Sequence, residues 1–183
     1  MLGDGFLERE YINTRIKFKQ GEVHKSYLIY LYSLFAIYVT NKPYIEKSYH
    51  KIQQKWYTRW TFKTLSFPCF NYYYDLFYIN KIKVVPSNIR NLLTPISLAY
   101  WAMDDGGYDG VGRFLLFTNN FTKTKVELLI KTLKKCFDLD TVIRKRSTDK
   151  YAIAFGRLSY IKLRKIIKPY FHKSILYKLP INK

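Results

Sequence analysis

Acidic residues are scarce in this 183-residue chain, with 13 Asp and Glu against 32 Lys and Arg, a net charge of +19 and a pI near 9.8. Such a balance points to a polyanionic partner, either nucleic acid or an anionic membrane surface. Cysteine is scarcer still. Cys69 and Cys136 stand alone, far apart and without partner ligands, which predicts two reduced, buried thiols. His24, His50 and His172 are equally scattered, so the pattern argues against a zinc site or a Cys/His nucleophile. Long apolar runs are missing as well. The longest, "YLIYLYSLFAIYV" from Tyr27 to Val39, falls short of the ~20 residues a membrane span needs and reads as a buried helix. Gly3-Asp4-Gly5 stands near the start where an apolar secretory signal would be, so none is read. What is abundant is apolar and aromatic: 48% hydrophobic and 19% aromatic residues supply a real core and exclude a disordered tail. The richness in Lys, Asn, Ile, Tyr and Phe fits an AT-rich coding genome, which hints at an organelle.

Periodicity organises the chain. In "TRIKFKQ", Ile16 and Phe18 alternate with Arg15, Lys17 and Lys19, which predicts a strand with one basic face. His24–Val39 is long enough for a helix, and "WYTRWTFKT" returns to alternation, Trp60 and Phe62 against Arg59, Thr61 and Lys63. A second helix is expected within Phe70–Ile79, followed by Lys83-Val84-Val85-Pro86 and a helix over 95–104. Beyond Gly110 the order repeats: "GRFLLFTNN" as a strand, Thr122–Cys136 as a helix capped by Thr122, "TVIRKRS" and "KYAIAFG" as strands, then Ser159–Ile167 as a helix. An internal duplication of αββαββα kind is the result. Each half also offers one acid near its start and one Lys just before a Pro near its end: Asp4 with Lys83 in "KVVP", and Asp105 with Lys178 in "KLP".

The helix over 95–104 poses a question. Thr94 fits an N-cap and Pro95 the first helical position, while Gly106 and Gly107 offer the backbone freedom a stop needs. Asp104 and Asp105 therefore sit at a helix C-terminus, whose partial negative charge opposes each exposed carboxylate by ~0.3–1 kcal/mol. Solvation is the bland explanation. A bound hard cation, which takes oxygen ligands, would reverse the sign of the interaction.

With these motifs in order, "LTPISLAYWAMDDGG", "LGDGFLE", "FKQGEVHKSYL", "KVVPSNIRNLLTP" and the terminal "LYKLP", the sequence resembles the LAGLIDADG homing endonucleases of the two-repeat, single-chain type. The resemblance covers nearly the whole chain. It implies an α+β fold of two pseudo-symmetric αββαββ(α) repeats, residues 1–88 and 89–183, with antiparallel sheets forming a DNA-binding saddle under packed motif helices. It further implies metal binding by Asp4 and Asp105, with backbone carbonyls from Gly3 and Asp104, and catalytic support from Lys83, Lys178 and Gln20. Mg²⁺ is the implied cofactor, with Mn²⁺ as substitute, and double-stranded DNA the partner of a monomer in a mitochondrion or other organelle, encoded within an intron.

Strand residues two apart are about 6.6 Å apart, and phosphates recur about every 3.4 Å along one strand. On that spacing Arg15, Lys17 and Lys19 suit a DNA backbone, as do Arg59 with Lys63 and Arg144 with Arg146; Arg113 joins this set. Ala99 and Ala102, three apart, suit close helix packing. One departure from the family pattern is that only Met1, Leu2 and Gly3 stand where the first motif helix belongs, so that helix is expected to be truncated and the chain as given to fold poorly or cleave weakly without an upstream extension. An intron maturase acting on RNA, and a non-catalytic DNA-binding remnant, are the competing expectations.

Overall fold

A computed structural model describes residues 2–109 and 112–180; Met1 and Gly110 of the expectations above lie outside them. The chain divides into two compact units, Gly3–Leu76 and Phe77–Lys183.

The first unit is built on two hairpins. β1 (Phe6–Glu10) pairs with β2 (Asn13–Gly21), and β3 (Tyr44–His50) with β4 (Lys55–Lys63); β2 and β4 also pair, giving an all-antiparallel sheet in the order β1-β2-β4-β3. Between the hairpins runs α1 (Lys25–Leu34), and α2 (Asn71–Phe77) ends at the boundary. Alternation along β2 buries Thr14, Ile16 and Gln20, and it leaves Arg15, Lys17 and Lys19 on the other face. Phe18 stacks on Phe62 at 5.0 Å between ring centroids, with Phe35 and Tyr32 completing the aromatic cluster under α1. Helix α1 stops at Leu34, short of the expected Val39, where Phe35 leaves helical geometry (φ −105°, ψ 14°) to pack on Phe18 and a 3₁₀ turn follows. Strand β3 has no counterpart in the sequence reading, because "YIEKSYH" is largely exposed on both faces and carries no apolar alternation. None of the described residues before Phe6 is helical.

The second unit opens with a short hairpin, β5 (Tyr78–Ile79) and β6 (Ile82–Lys83), whose turn residues Asn80 and Lys81 both take positive φ. This turn ends the helix expected through Ile79, which spans only Asn71–Phe77. Then come α3 (Ile89–Leu92), α4 (Pro95–Asp105), β7 (Gly106–Tyr108), β8 (Phe114–Phe117), α5 (Lys123–Phe137), β9 (Thr141–Ser147), β10 (Lys150–Phe155) and α6 (Arg157–Ile167). The sheet order β7-β8-β10-β9 reproduces that of the first unit, hairpin for hairpin, with a helix between the hairpins in each. The fold is thus mixed α and β with antiparallel sheets and a repeated topology. Phe114, fully buried, lies at the centre of an aromatic cluster with Tyr108, Phe155 and Tyr160 at 5.4–5.6 Å.

Local chemistry explains α4. Thr94 accepts from the Ser97 N–H at 3.2 Å while Ser97 Oγ accepts from the Thr94 N–H at 2.8 Å, a reciprocal capping box behind Pro95. The stop works differently from the expectation. Gly106 is extended (φ −80°, ψ 145°), not left-handed, and its need for glycine is steric: a Cβ there would stand 2.2 Å from the Ala102 carbonyl oxygen and 2.9 Å from Phe114. Thr122 takes the N-cap position of α5, yet its side chain makes no capping bond. Cysteine burial also departs from the sequence reading, with Cys69 exposed and Cys136 half-buried, because Cys69 sits in an exposed 3₁₀ turn where Phe70 takes the buried place.

Candidate active site and nucleic-acid interface

Asp4 precedes β1 in the non-helical segment Gly3–Gly5, and Gln20 stands near the end of β2. The fold of the first unit brings them together: Gln20 Nε2 donates to Asp4 Oδ2 at 2.9 Å. Gln20 is only 5% exposed, and its carbonyl oxygen lies 3.2 Å from Nδ1 of His24, a residue absent from the sequence-derived site. Nothing in the composition points to His24. The spacing of four residues across the tight turn after β2 is what returns its ring to Gln20.

In the second unit, Asp105 is the last residue of α4 and Asp104 the one before; both are half-buried. Lys178, at the end of a 3₁₀ turn spanning Lys173–Lys178, reaches back to this helix end, donating to the carbonyl oxygens of Met103 at 2.6 Å and Asp104 at 3.0 Å. An ammonium at a helix C-terminus offsets the partial negative charge of the last carbonyls. The Asp104 carbonyl proposed as a metal ligand is therefore already an acceptor. Lys83 ends β6, opposite Tyr78, half-buried. Ala99 and Ala102 are fully buried.

The expected basic strand faces are present, and each carries acids that the sequence reading does not include. In the first sheet, cross-strand register places Glu8 opposite Arg15, Lys17 opposite Lys63, and Arg59 opposite Glu46. Arg15 donates to Glu8 at 2.8 Å and also pairs with Glu10, while Lys19 and Lys17 meet Glu46 at 2.6 and 3.5 Å. The hydrogen bond from Lys19 holds the Glu46 carboxyl below its ordinary range; burial opposes this, and Lys17 and Thr61 add to the lowering. In the second sheet, Asp109 takes the place of those glutamates. Its side chain is 7% exposed, with Oδ1 accepting the Arg113 N–H at 2.9 Å and Oδ2 accepting from Arg113 Nε at 3.0 Å and from Arg144. Arg146, two residues beyond Arg144, stacks its guanidinium 4.7 Å from the Phe117 ring centroid. Glu8 and Asp109 each lie four residues after the motif acid of their half, so the duplication extends to the carboxylate that holds an arginine on the sheet.

Two antiparallel sheets of one topology, each with arginines held by carboxylates and the first with lysines held so as well, define a nucleic-acid-binding architecture with an acid at a loop or helix end in each unit. The chain belongs to the LAGLIDADG DNA endonuclease family, whose model matches residues 1–163. It is 39% identical over 150 residues to the intron-encoded endonuclease ai4 of Dictyostelium discoideum, covering 79% of this chain and 94% of that one. It is 34% identical to the cytochrome b mRNA maturase bI2 of Debaryomyces hansenii, covering 98% of this chain and 70% of that protein. Among solved structures, the homing endonuclease I-WcaI bound to its DNA recognition sequence matches with a TM-score of 0.90 and 26% identity, over 100% of this chain and 83% of that one. I-DmoI in complex with DNA and Mn matches in fold, with a TM-score of 0.52 and 16% identity over 89% of this chain and 87% of that one.

Proposed function

We propose that this chain is a site-specific homing endonuclease that hydrolyses one phosphodiester on each strand of a long, asymmetric double-stranded DNA target across the minor groove, leaving short 3′ overhangs and mobilising its own intron. The organelle of its host, in the first place the mitochondrion, is the compartment this reading assigns, and the working form is a monomer. The observation that carries the proposal is the pairing of each motif acid's neighbourhood with a buried or half-buried partner: Gln20 on Asp4, and Lys178 on the helix end that carries Asp105. The likeness to I-WcaI on DNA supports it.

Mg²⁺, with Mn²⁺ as substitute, fits the donors at hand. Among the described residues no group of three or more His, Cys, Asp or Glu forms a cage for a metal ion. Mg²⁺ does not need one, since it is commonly held by one or two carboxylates together with substrate phosphates and water. Asp4 with the Gly3 carbonyl in the first unit, and Asp105 with the Asp104 carbonyl in the second, would each supply oxygen ligands to such an ion. When bound, it would supply Lewis acidity toward the phosphate and a water more readily deprotonated. Gln20 orients the Asp4 carboxylate by hydrogen bonding, and Lys83 and Lys178 offset negative charge as it develops on the phosphate. Arg15, Lys17, Lys19, Arg59, Lys63, Arg113, Arg144 and Arg146 position the duplex through its backbone.

Cleavage of an intronless copy of the host gene in Mg²⁺, with the fragment ends sequenced, tests the proposal. Cuts on both strands at one site support it, and an intact gene overturns it. The likeness to bI2 favours a second reading, an intron maturase, which would promote splicing of the host intron RNA instead. Binding to the gene without cleavage or splicing would indicate a non-catalytic remnant.

The interface makes a separate prediction. Glu46 shares Lys17 and Lys19 with any incoming phosphate, so Glu46→Gln frees two cations and removes a repelling charge. Target affinity should rise at low salt, and the slope of log Kd against log salt should steepen by about 0.9 for each further phosphate neutralised. A salt titration by fluorescence anisotropy reads both. An unchanged slope would mean that removing the Glu46 charge adds no phosphate contact.

A further inference from the structure

We infer that His24 is a positioning residue of the cleavage reaction, setting through Gln20 the orientation of the amide that serves Asp4. The inference rests on the reading of Asp4 as an active-site acid. Hydrogen-bond bookkeeping leaves one arrangement. An ionised carboxylate only accepts, so the Gln20 atom 2.9 Å from Asp4 Oδ2 is the nitrogen. The amide oxygen then faces His24 at 3.2 Å, and only a hydrogen on His24 Nδ1 makes that contact a bond. Donors thus run in one sense, from His24 to Gln20 to Asp4. Turned over, the amide would set oxygen against the carboxylate and lose that bond, and it could keep the one to His24 only if the ring proton moved to Nε2. Because Gln20 is 5% exposed, water has little access with which to repair that loss. Without the His24 donor, by contrast, a buried amide oxygen is left without that partner and the amide gains a reason to rotate.

Local sequence supplies the geometry. β2 ends at Gly21, where added side-chain volume would meet nothing within 4 Å, and a 3₁₀ turn over Glu22–His24 leads directly into α1. His24 is the junction residue between that turn and the helix. Its half-buried ring is therefore fixed at the backbone by two elements.

The test uses the full chain and the target fragment defined by the intronless host gene. Single-turnover cleavage rates in Mg²⁺ and target Kd without divalent metal are measured for wild type, His24→Leu, His24→Asn and His24→Gln. An Asn side chain places an amide N–H near the position of Nδ1, whereas Gln places it near Nε2. Expected is a rate about 10–100-fold lower for His24→Leu, the range for losing a partner that orients a ligand. Kd should be unchanged, His24→Asn should recover most of the rate, and His24→Gln should not. A wild-type rate in His24→Leu, or equal rates in His24→Asn and His24→Gln, overturns the inference. Should His24→Leu fail to fold, the Asn and Gln pair still decides. Combining His24→Leu with Gln20→Leu should slow cleavage no further than Gln20→Leu alone, because one residue acts through the other; additive losses would overturn it. A target left uncut by the wild-type chain refutes the endonuclease reading itself, which separates that failure from this one.

Discussion

Asp105→Asn is expected to abolish Mg²⁺-dependent cleavage while DNA binding persists. The substitution keeps the shape and removes only the charge. Losing a metal-holding carboxylate forfeits several kcal/mol of transition-state charge stabilisation. At ~1.36 kcal/mol per factor of ten, the rate should fall on the order of 10³-fold or more. Where Asp105 sits also bears on folding and binding. As the last residue of α4 it lies where the helix dipole disfavours a carboxylate, so the neutral variant should keep the helix intact and remain folded. Removing a negative charge beside bound phosphate should, if anything, tighten target binding. A variant that stays folded, binds as well or better and does not cut is a combination no folding defect produces. Cleavage at the wild-type rate would remove Asp105 from the mechanism, and with it the explanation for carboxylates at that helix end.

Much of this architecture is legible in the sequence because it is set by short-range chemistry. Thr94, Pro95 and Gly106 bound a helix through caps and sterics within a few residues, and the alternation of Arg15, Lys17 and Lys19 follows directly from strand geometry. In the second unit α4, β8, α5, β9, β10 and α6 are legible in order because periodicity marks each one locally, whereas the short β5, β6, α3 and β7 carry too little pattern to be read. What escapes is whatever depends on a partner distant in sequence. Glu46 reaches Lys17 and Lys19 only because β3 lies beside β4 and β4 beside β2, and β3 carries no apolar period to betray it. Asp109 gathers Arg113 from its own turn and Arg144 from β9, a residue 35 positions further along the chain. The sequence reading therefore treats as free cations residues that the fold holds with carboxylates. Such pairing preorganises the side chains, so that DNA exchanges one anion for another and does not have to order mobile chains.

Lys178 separates structural from chemical duty, and Lys178→Met is the substitution that does so. The methionine retains most of the apolar stem but donates nothing to the carbonyls of Met103 and Asp104, which the ammonium meets at 2.6 and 3.0 Å. Hydrogen bonds to a charged group contribute ~1.5–3 kcal/mol. For a chain of this length each kcal/mol lowers the melting temperature by about 2–4 °C, so calorimetry should register a clear drop. Were Lys178 only a helix cap, cleavage measured well below that transition would proceed at the wild-type rate. If its charge also offsets the negative charge gathering on the phosphate, the folded variant should cut about 10²–10³-fold more slowly, the cost of losing one preorganised donor at such a site. The second outcome is the expected one. The half-buried ammonium stands one residue from Asp105, and a helix end already carrying a carboxylate needs its cation most when the scissile phosphate adds further negative charge. Lys178→Arg provides the control: it keeps the charge but not the compact geometry, and should recover stability more fully than rate.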